Sequence, residues 1–111
     1  MNYYNLTDKA IVNEIGERLK TARINRNMSQ DTLAAKSGIS LRTLQNIESG
    51  NTSSKISNII AIMRTLEMLD QLDNFIPTQL VSPIALAEMK GKQRQRASKQ
   101  KKTAKQDESE W

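Results

Sequence analysis

Four hydrogen-bonding side chains, Arg42, Gln45, Asn46 and Ser49, recur at i, i+3, i+4 and i+7 within "SQDTLAAKSGISLRTLQNIESG", residues 29–50. On a helix that spacing gathers them on one face. Such a face is either plain solvent cover or a reading surface. A guanidinium can form paired hydrogen bonds to guanine, and a carboxamide can do the same to adenine. Other chemistry is sparse. The chain has no histidine and no cysteine. The commonest general base, thiolate zinc sites, thiol nucleophiles and disulfides are therefore excluded. Asp70 and Asp73 are spaced i, i+3 but read as a solvent face with no converging ligands. No residue constellation supports an enzyme, and no metal or cofactor is implied.

The elements that must hold the polar face can be read around it. Thr7 or Asp8 caps a first helix in which Val12, Ile15, Leu19 and Ala22 repeat at helical spacing. Asn25–Asn27 break it. Ser29 caps a helix from Gln30 to Lys36, with Leu33 and Ala34 inward, and Gly38 supplies the left-handed residue that ends it. Ile39 plugs the turn. Ser40 caps a helix over Leu41–Ser49 whose buried side is Leu44 and Ile47, and Gly50 ends it. After the polar "NTSSK", Ser54 or Ser57 caps a fourth helix holding Ile56, Ile59, Ile60, Met63 and Leu66. A fifth run carries Leu69, Leu72, Phe75 and Ile76 before Pro77.

A helix-turn-helix needs a small residue at its crossing, a positive-φ turn residue, two apolar anchors and a long-chain polar flank. Ala34, Gly38, Leu44 with Ile47, and Arg42 with Gln45 and Asn46 fill those places in register. The sequence thus predicts an all-α fold, a five-helix domain over residues 1–77 that places Arg42, Gln45 and Asn46 against base edges.

Beyond Pro77 the composition changes. "TQLVS" suits a short strand or an extended arm. "SPIALAEMKG" reads as a short helix capped by Ser82, with Pro83 first and Gly91 after its end. Residues 90–106 hold eight cations and no acid, and Asp107, Glu108 and Glu110 follow. Residues 78–91 are therefore expected to be a dimerisation or partner-binding segment. Residues 92–111 are expected to be a disordered basic tail with an acidic, tryptophan-bearing end. The cations serve either sequence-independent attraction to nucleic acid or the docking of a partner. Trp111 suits a protease-recognition signal or a cryptic contact. Tyr3 and Tyr4 are expected to staple onto the domain or a dimer seam. No apolar run reaches the ~20 residues of a membrane span, and the N-terminus lacks a secretion signal. The expected location is the bacterial cytoplasm, on the nucleoid.

Residues 15–51, "IGERLKTARINRNMSQDTLAAKSGISLRTLQNIESGN", resemble the Xre/Cro/C1 family of phage-repressor-like regulators. The resemblance implies that Leu41, Arg42 and Asn46 reach bases, with Leu41 either meeting a thymine methyl or only packing. It implies phosphate contacts from Gln30, Ser40 and Thr43, and from backbone amides of the connector Asn51, Thr52 and Ser53. It also implies that Gln30 braces the recognition helix and that Arg23 pairs with Glu48 as a structural tie. Residues 81–98, "VSPIALAEMKGKQRQRAS", and the "ESEW" stretch are similar to HipB-type antitoxins. That second resemblance implies a HipA-like kinase toxin, or an associated subunit, as partner and a toxin-antitoxin operon as the target of repression. The HipB pattern joins protomers through a short strand, for which "TQLVS" is the candidate.

Leu69, Leu72, Phe75, Ile76 and Leu80 are more apolar than the edge of a small monomer needs and are read as a homodimer interface. A dimer places two recognition helices ~34 Å apart on a palindromic operator. A free-standing repressor without a toxin, and a protein or RNA interaction module, are the alternatives.

Overall fold

The computed structural model describes residues 1–100, with side chains through Arg94. It divides into two units, Met1–Pro77 and a second that begins at Thr78. The expected all-α architecture is what forms. The first unit contains α1 (Asp8–Asn25), α2 (Gln30–Ser37), α3 (Leu41–Glu48), α4 (Ile56–Thr65) and α5 (Leu72–Phe75), with 3₁₀ turns at Tyr3–Asn5 and Leu69–Gln71. The second contains α6 (Pro83–Gln100).

Local signals set the starts of the first three helices. Thr7, Ser29 and Ser40 each accept a backbone N–H three residues on, from Ala10, Thr32 and Thr43, at 3.1 Å. Each such cap contributes about 1 kcal/mol. The fourth helix departs from expectation. Lys55, not Ser54 or Ser57, holds the cap position and makes no side-chain cap bond. Ser54 Oγ is drawn back to donate to the Asn51 carbonyl at 2.9 Å.

The ends of α1 to α4 share one device. Each is followed by a left-handed residue: Asn27, Gly38, Gly50 and Glu67, with φ of 55°, 69°, 83° and 56°. The next amide then reaches back to the last turn. Met28 N–H donates to Arg23 O at 3.2 Å, Ile39 to Ala34 at 3.1 Å, Asn51 to Asn46 at 2.9 Å and Met68 to Met63 at 2.8 Å. This Schellman arrangement satisfies carbonyls that would otherwise be orphaned. It also returns an apolar residue to the core: Met28, Ile39 and Met68 all pack against it. At α3 the returning residue is Asn51, which stays exposed.

The core is Leu19, Leu33, Ala34, Leu44, Ile47, Ile62 and Leu66. Ala34 is buried as expected. A close approach between α1 and α3 was not revealed by composition. A Cβ on Gly16 would fall against the backbone oxygens of Ile47 and Glu48, the latter at 2.8 Å. Only hydrogen fits there.

In the second unit "TQLVS" forms no strand, and no strand occurs among the described residues, which leaves the extended arm of the two alternatives. One expectation is corrected. The helix that opens at Pro83 does not stop at Gly91 but continues to Gln100. Residues 92–100, expected to be disordered, are therefore helical, and the expected boundary at 91/92 falls inside α6. One interior glycine costs a helix only about 1 kcal/mol, and the Gln, Arg, Lys and Ala around it are good helix formers. The expected opening holds, with Ser82 Oγ accepting from Ala85 N–H at 3.4 Å. Expectations for Lys101, Lys102, Lys105, the acidic end and Trp111 lie outside the described residues.

Chemical denaturation separates the two structural glycines. Gly38 has open space around it, so Gly38→Ala should cost only the left-handed backbone, about 1 kcal/mol. Gly16→Ala should cost about 3 kcal/mol, because backbone must move.

Candidate nucleic-acid interface

α3 is a short rod of two faces. Leu44 and Ile47 are buried beneath it. Arg42 lies nearly opposite both at 100° per residue, with Ser49 and Asn46 beside it and Gln45 on the next flank. Arg42, Gln45 and Ser49 are exposed and Asn46 is half-buried. Leu41 sits at the rim, 37% exposed. The structure thus brings Arg42, Gln45 and Asn46 onto one outward surface.

What holds the far end of the rod is a buried ion pair. Arg23 is 8% exposed and Glu48 is 4% exposed. Arg23 Nε donates to Glu48 Oε2 at 2.8 Å and Nη2 to Oε1 at 3.1 Å. The third nitrogen, Nη1, donates to the Met28 carbonyl at 2.8 Å. Gln30 Nε2 donates to Glu48 Oε1 at 3.1 Å. One carboxylate at the end of α3 therefore fixes α1, the α1–α2 turn and the start of α2 at once. The fork geometry satisfies the buried charges, which would be costly unpaired.

The expected phosphate-facing residues are placed less uniformly. Ser40 and Thr43 bond each other, Oγ to Oγ1 at 2.7 Å. Ser40 is exposed and Thr43 half-buried. In the connector, the Asn51 amide is spent on Asn46 O and the Ser53 amide donates to Asn51 Oδ1 at 2.9 Å. The helix end and an Asx turn thus already engage those two amides, which were expected to face phosphate. A phosphate there would be met by side chains or by the Thr52 amide. Gln30 is half-buried, with its amide nitrogen committed to Glu48.

A polar hollow of about 250 Å³ lies beside α3, lined by Thr43, Asn46, Ser53, Ser54, Lys55 and Asn58. Lys55 and Asn58 were not singled out from sequence. The available signal was that Lys55 is the one cation in the connector after Gly50.

Elsewhere in the unit, Leu69 is half-buried while Leu72, Phe75 and Ile76 are exposed, the last two at 60% and 65%. Phe75 borders an apolar groove of about 470 Å³ shared with Tyr3, Ile11 and Ile15. Arg18 pins Tyr3 there, its Nη2 donating to the phenol oxygen at 2.6 Å. Hydrogen bonds to Glu14 and then Tyr3 hold the Arg18 guanidinium above its ordinary pKa. Tyr4 is fully exposed and does not pack on the domain. Leu80 belongs to the second unit and is exposed.

Comparison with known proteins agrees with this geometry. A family model described as "Helix-turn-helix" matches residues 19–69. An uncharacterised HTH-type transcriptional regulator, y4mF of Sinorhizobium fredii (strain NBRC 101917 / NGR234), is 30% identical over 53 residues. The match covers 48% of this chain and 70% of that protein.

Removing one member of the buried pair exposes its role. Glu48→Ala should lower unfolding free energy by about 3–5 kcal/mol, since it strands the Arg23 charge. Arg23→Met combined with Glu48→Leu should recover most of that loss in the same denaturant titration.

Proposed function

The chain belongs to the helix-turn-helix family of transcriptional regulators, and on that premise we propose that it is a sequence-specific repressor acting as a homodimer on a palindromic operator. The observation that carries this reading is α3 itself. Its outward face offers one guanidinium and two carboxamides, its inward face is Leu44 and Ile47, and its end is clamped through Glu48. Arg42 is the principal base contact, paired to guanine; Asn46 and Gln45 suit adenine, and Leu41 suits a thymine methyl. Ser40, Thr43, Asn51, Thr52, Ser53 and Lys55 flank this face and set register through phosphate. Gln30 meets phosphate through the Nε2 hydrogen that it does not give to Glu48, so its larger part is bracing.

The dimer forms through Leu72, Phe75 and Ile76, with Leu69 and Leu80 at its margin. Exposed apolar side chains clustered this closely on a small domain mark an interaction surface. The protein works in the bacterial cytoplasm, on the nucleoid. Among the described residues no helix is long and apolar enough to cross a membrane.

The finer reading is that the repressor is a HipB-like antitoxin. It autoregulates a toxin-antitoxin operon and binds a HipA-like Ser/Thr kinase toxin or an associated subunit. Its support is the similarity of residues 81–98 and of "ESEW" to that group. The strand that joins protomers in the HipB pattern has no counterpart among the described residues, so the dimer contact is assigned to α5. Co-purification of a kinase-like neighbour from the native operon supports the antitoxin role. A binder of DNA with no such partner is a free-standing repressor.

Arg42→Ala and Asn46→Ala should each lose about 1–3 kcal/mol of discrimination between operator and scrambled duplex in a fluorescence titration, with melting temperature unchanged. Wild-type discrimination kept in both variants would place base reading elsewhere on the domain, and a wild type without discrimination would point instead to a protein or RNA interaction module. Phe75→Arg with Ile76→Glu should give a monomer by sedimentation and reduce the footprint to a half-site. A variant that stays dimeric places the interface elsewhere.

A further inference from the structure

The first unit is almost neutral. Residues 1–77 carry nine cations and eight acids. Three of those cations are engaged in ion pairs: Arg18 with Glu14, Arg23 with Glu48 and Arg26 with Glu67. Beside the proposed reading face stand Arg42 and Lys55. This is little charge for a protein whose hold on duplex DNA comes largely from neutralised phosphates and released counterions.

α6 has the opposite balance. Between Pro83 and Gln100 the sequence carries Lys90, Lys92, Arg94, Arg96 and Lys99 against Glu88 alone. Because α6 runs through Gly91, these cations belong to one continuous helix. Lys90 and Arg94, four apart, share a flank, while Lys92 falls on the other side of the rod. Like charges at i, i+4 disfavour an isolated helix; a polyanion alongside it removes that cost. Cations on two flanks of a rod ~10 Å wide also match a duplex groove ~12 Å across with phosphates along both walls.

We propose that α6 is a second DNA-contacting element that lies against the phosphates of the duplex held by α3 and supplies most of the sequence-independent affinity. This rests on the duplex-binding reading above. Linkage through residues 78–82 makes the second contact intramolecular, which raises its effective concentration. The contact adds hold without adding discrimination, because phosphates carry no sequence.

The test uses the full chain and one variant, Lys90→Gln, Lys92→Gln, Arg94→Gln, Arg96→Gln and Lys99→Gln together. Glutamine has nearly the helix propensity of lysine and arginine, so circular dichroism should be unchanged. Both proteins are titrated, from about 50 to 200 mM salt, against three probes. They are a duplex selected by the wild type from a random pool, a scrambled duplex, and a single-stranded RNA of equal length. The slope of log K against log salt should become shallower by about 4 per protomer on both duplexes. The ratio of selected to scrambled affinity should stay within about twofold, since these contacts read no bases. An unchanged slope would mean that α6 is only a solvated helix, and a larger change on RNA than on duplex would mean a different polyanion; either overturns the proposal. The selected-to-scrambled ratio reads α3 separately. A wild type with no selectivity would defeat sequence reading by α3, while a slope lost in the variant would still support α6.

Discussion

The carboxylate of Glu48 is the point on which the domain turns. It is buried, doubly bonded by the Arg23 fork and bonded again by Gln30. A charge in that position cannot tolerate a missing partner, so α1, α2 and α3 have one mutual arrangement rather than several. The nearby Gly16 contact works in the same direction. It lets the α1 backbone sit directly against the carbonyls at the end of α3. Together they fix the pose of a helix only eight residues long, which would be unstable alone. Precise presentation of Arg42 and Asn46 is a consequence of contacts made on the other side of the rod.

The helix ends show how a small chain obtains compact corners. Four left-handed residues in succession turn α1 to α4 sharply, and three of the turns return a methionine or isoleucine to the core. The exception is the turn after α3, where a polar asparagine takes that place. The corner that borders the proposed DNA face is thus the one that gives up its apolar plug. Glycine at two of these sites removes the side-chain cost of positive φ. Asn27 and Glu67 carry that cost, and Glu67 is drawn to Arg26 at 3.5 Å.

Much of this was legible in the sequence because it is local. Ser29, Gly38, Ser40 and Gly50 announce helix boundaries through their own chemistry, and Leu44 and Ile47 announce a buried side by spacing. The outward flank followed from the same register. Gly16 is not legible, because its necessity comes from the backbone oxygens of Ile47 and Glu48, far along the chain, not from its neighbours in sequence. Lys55 was passed over because a serine is the expected cap, and Ser54 is instead claimed by Asn51. The full length of α6 is not legible, because a glycine and a charge run resemble helix stops, although neither breaks a helix rich in glutamine, arginine and alanine. Its length is what allows the basic segment to act as a rod.

The two proposed tasks fall to different helices, base reading to α3 and phosphate holding to α6, with the Arg23–Glu48 pair setting the pose of the first. The most direct measurement of base reading is a loss-of-contact experiment. Every base pair of a selected half-site is substituted in turn, and affinities are measured for the wild type and for Arg42→Ala. If the guanidinium pairs with a guanine, substitution of one G·C pair should weaken the wild type by about 1–3 kcal/mol and leave the variant indifferent at that pair alone. A variant that still feels every substitution as the wild type does would contradict the assignment of Arg42 to a base.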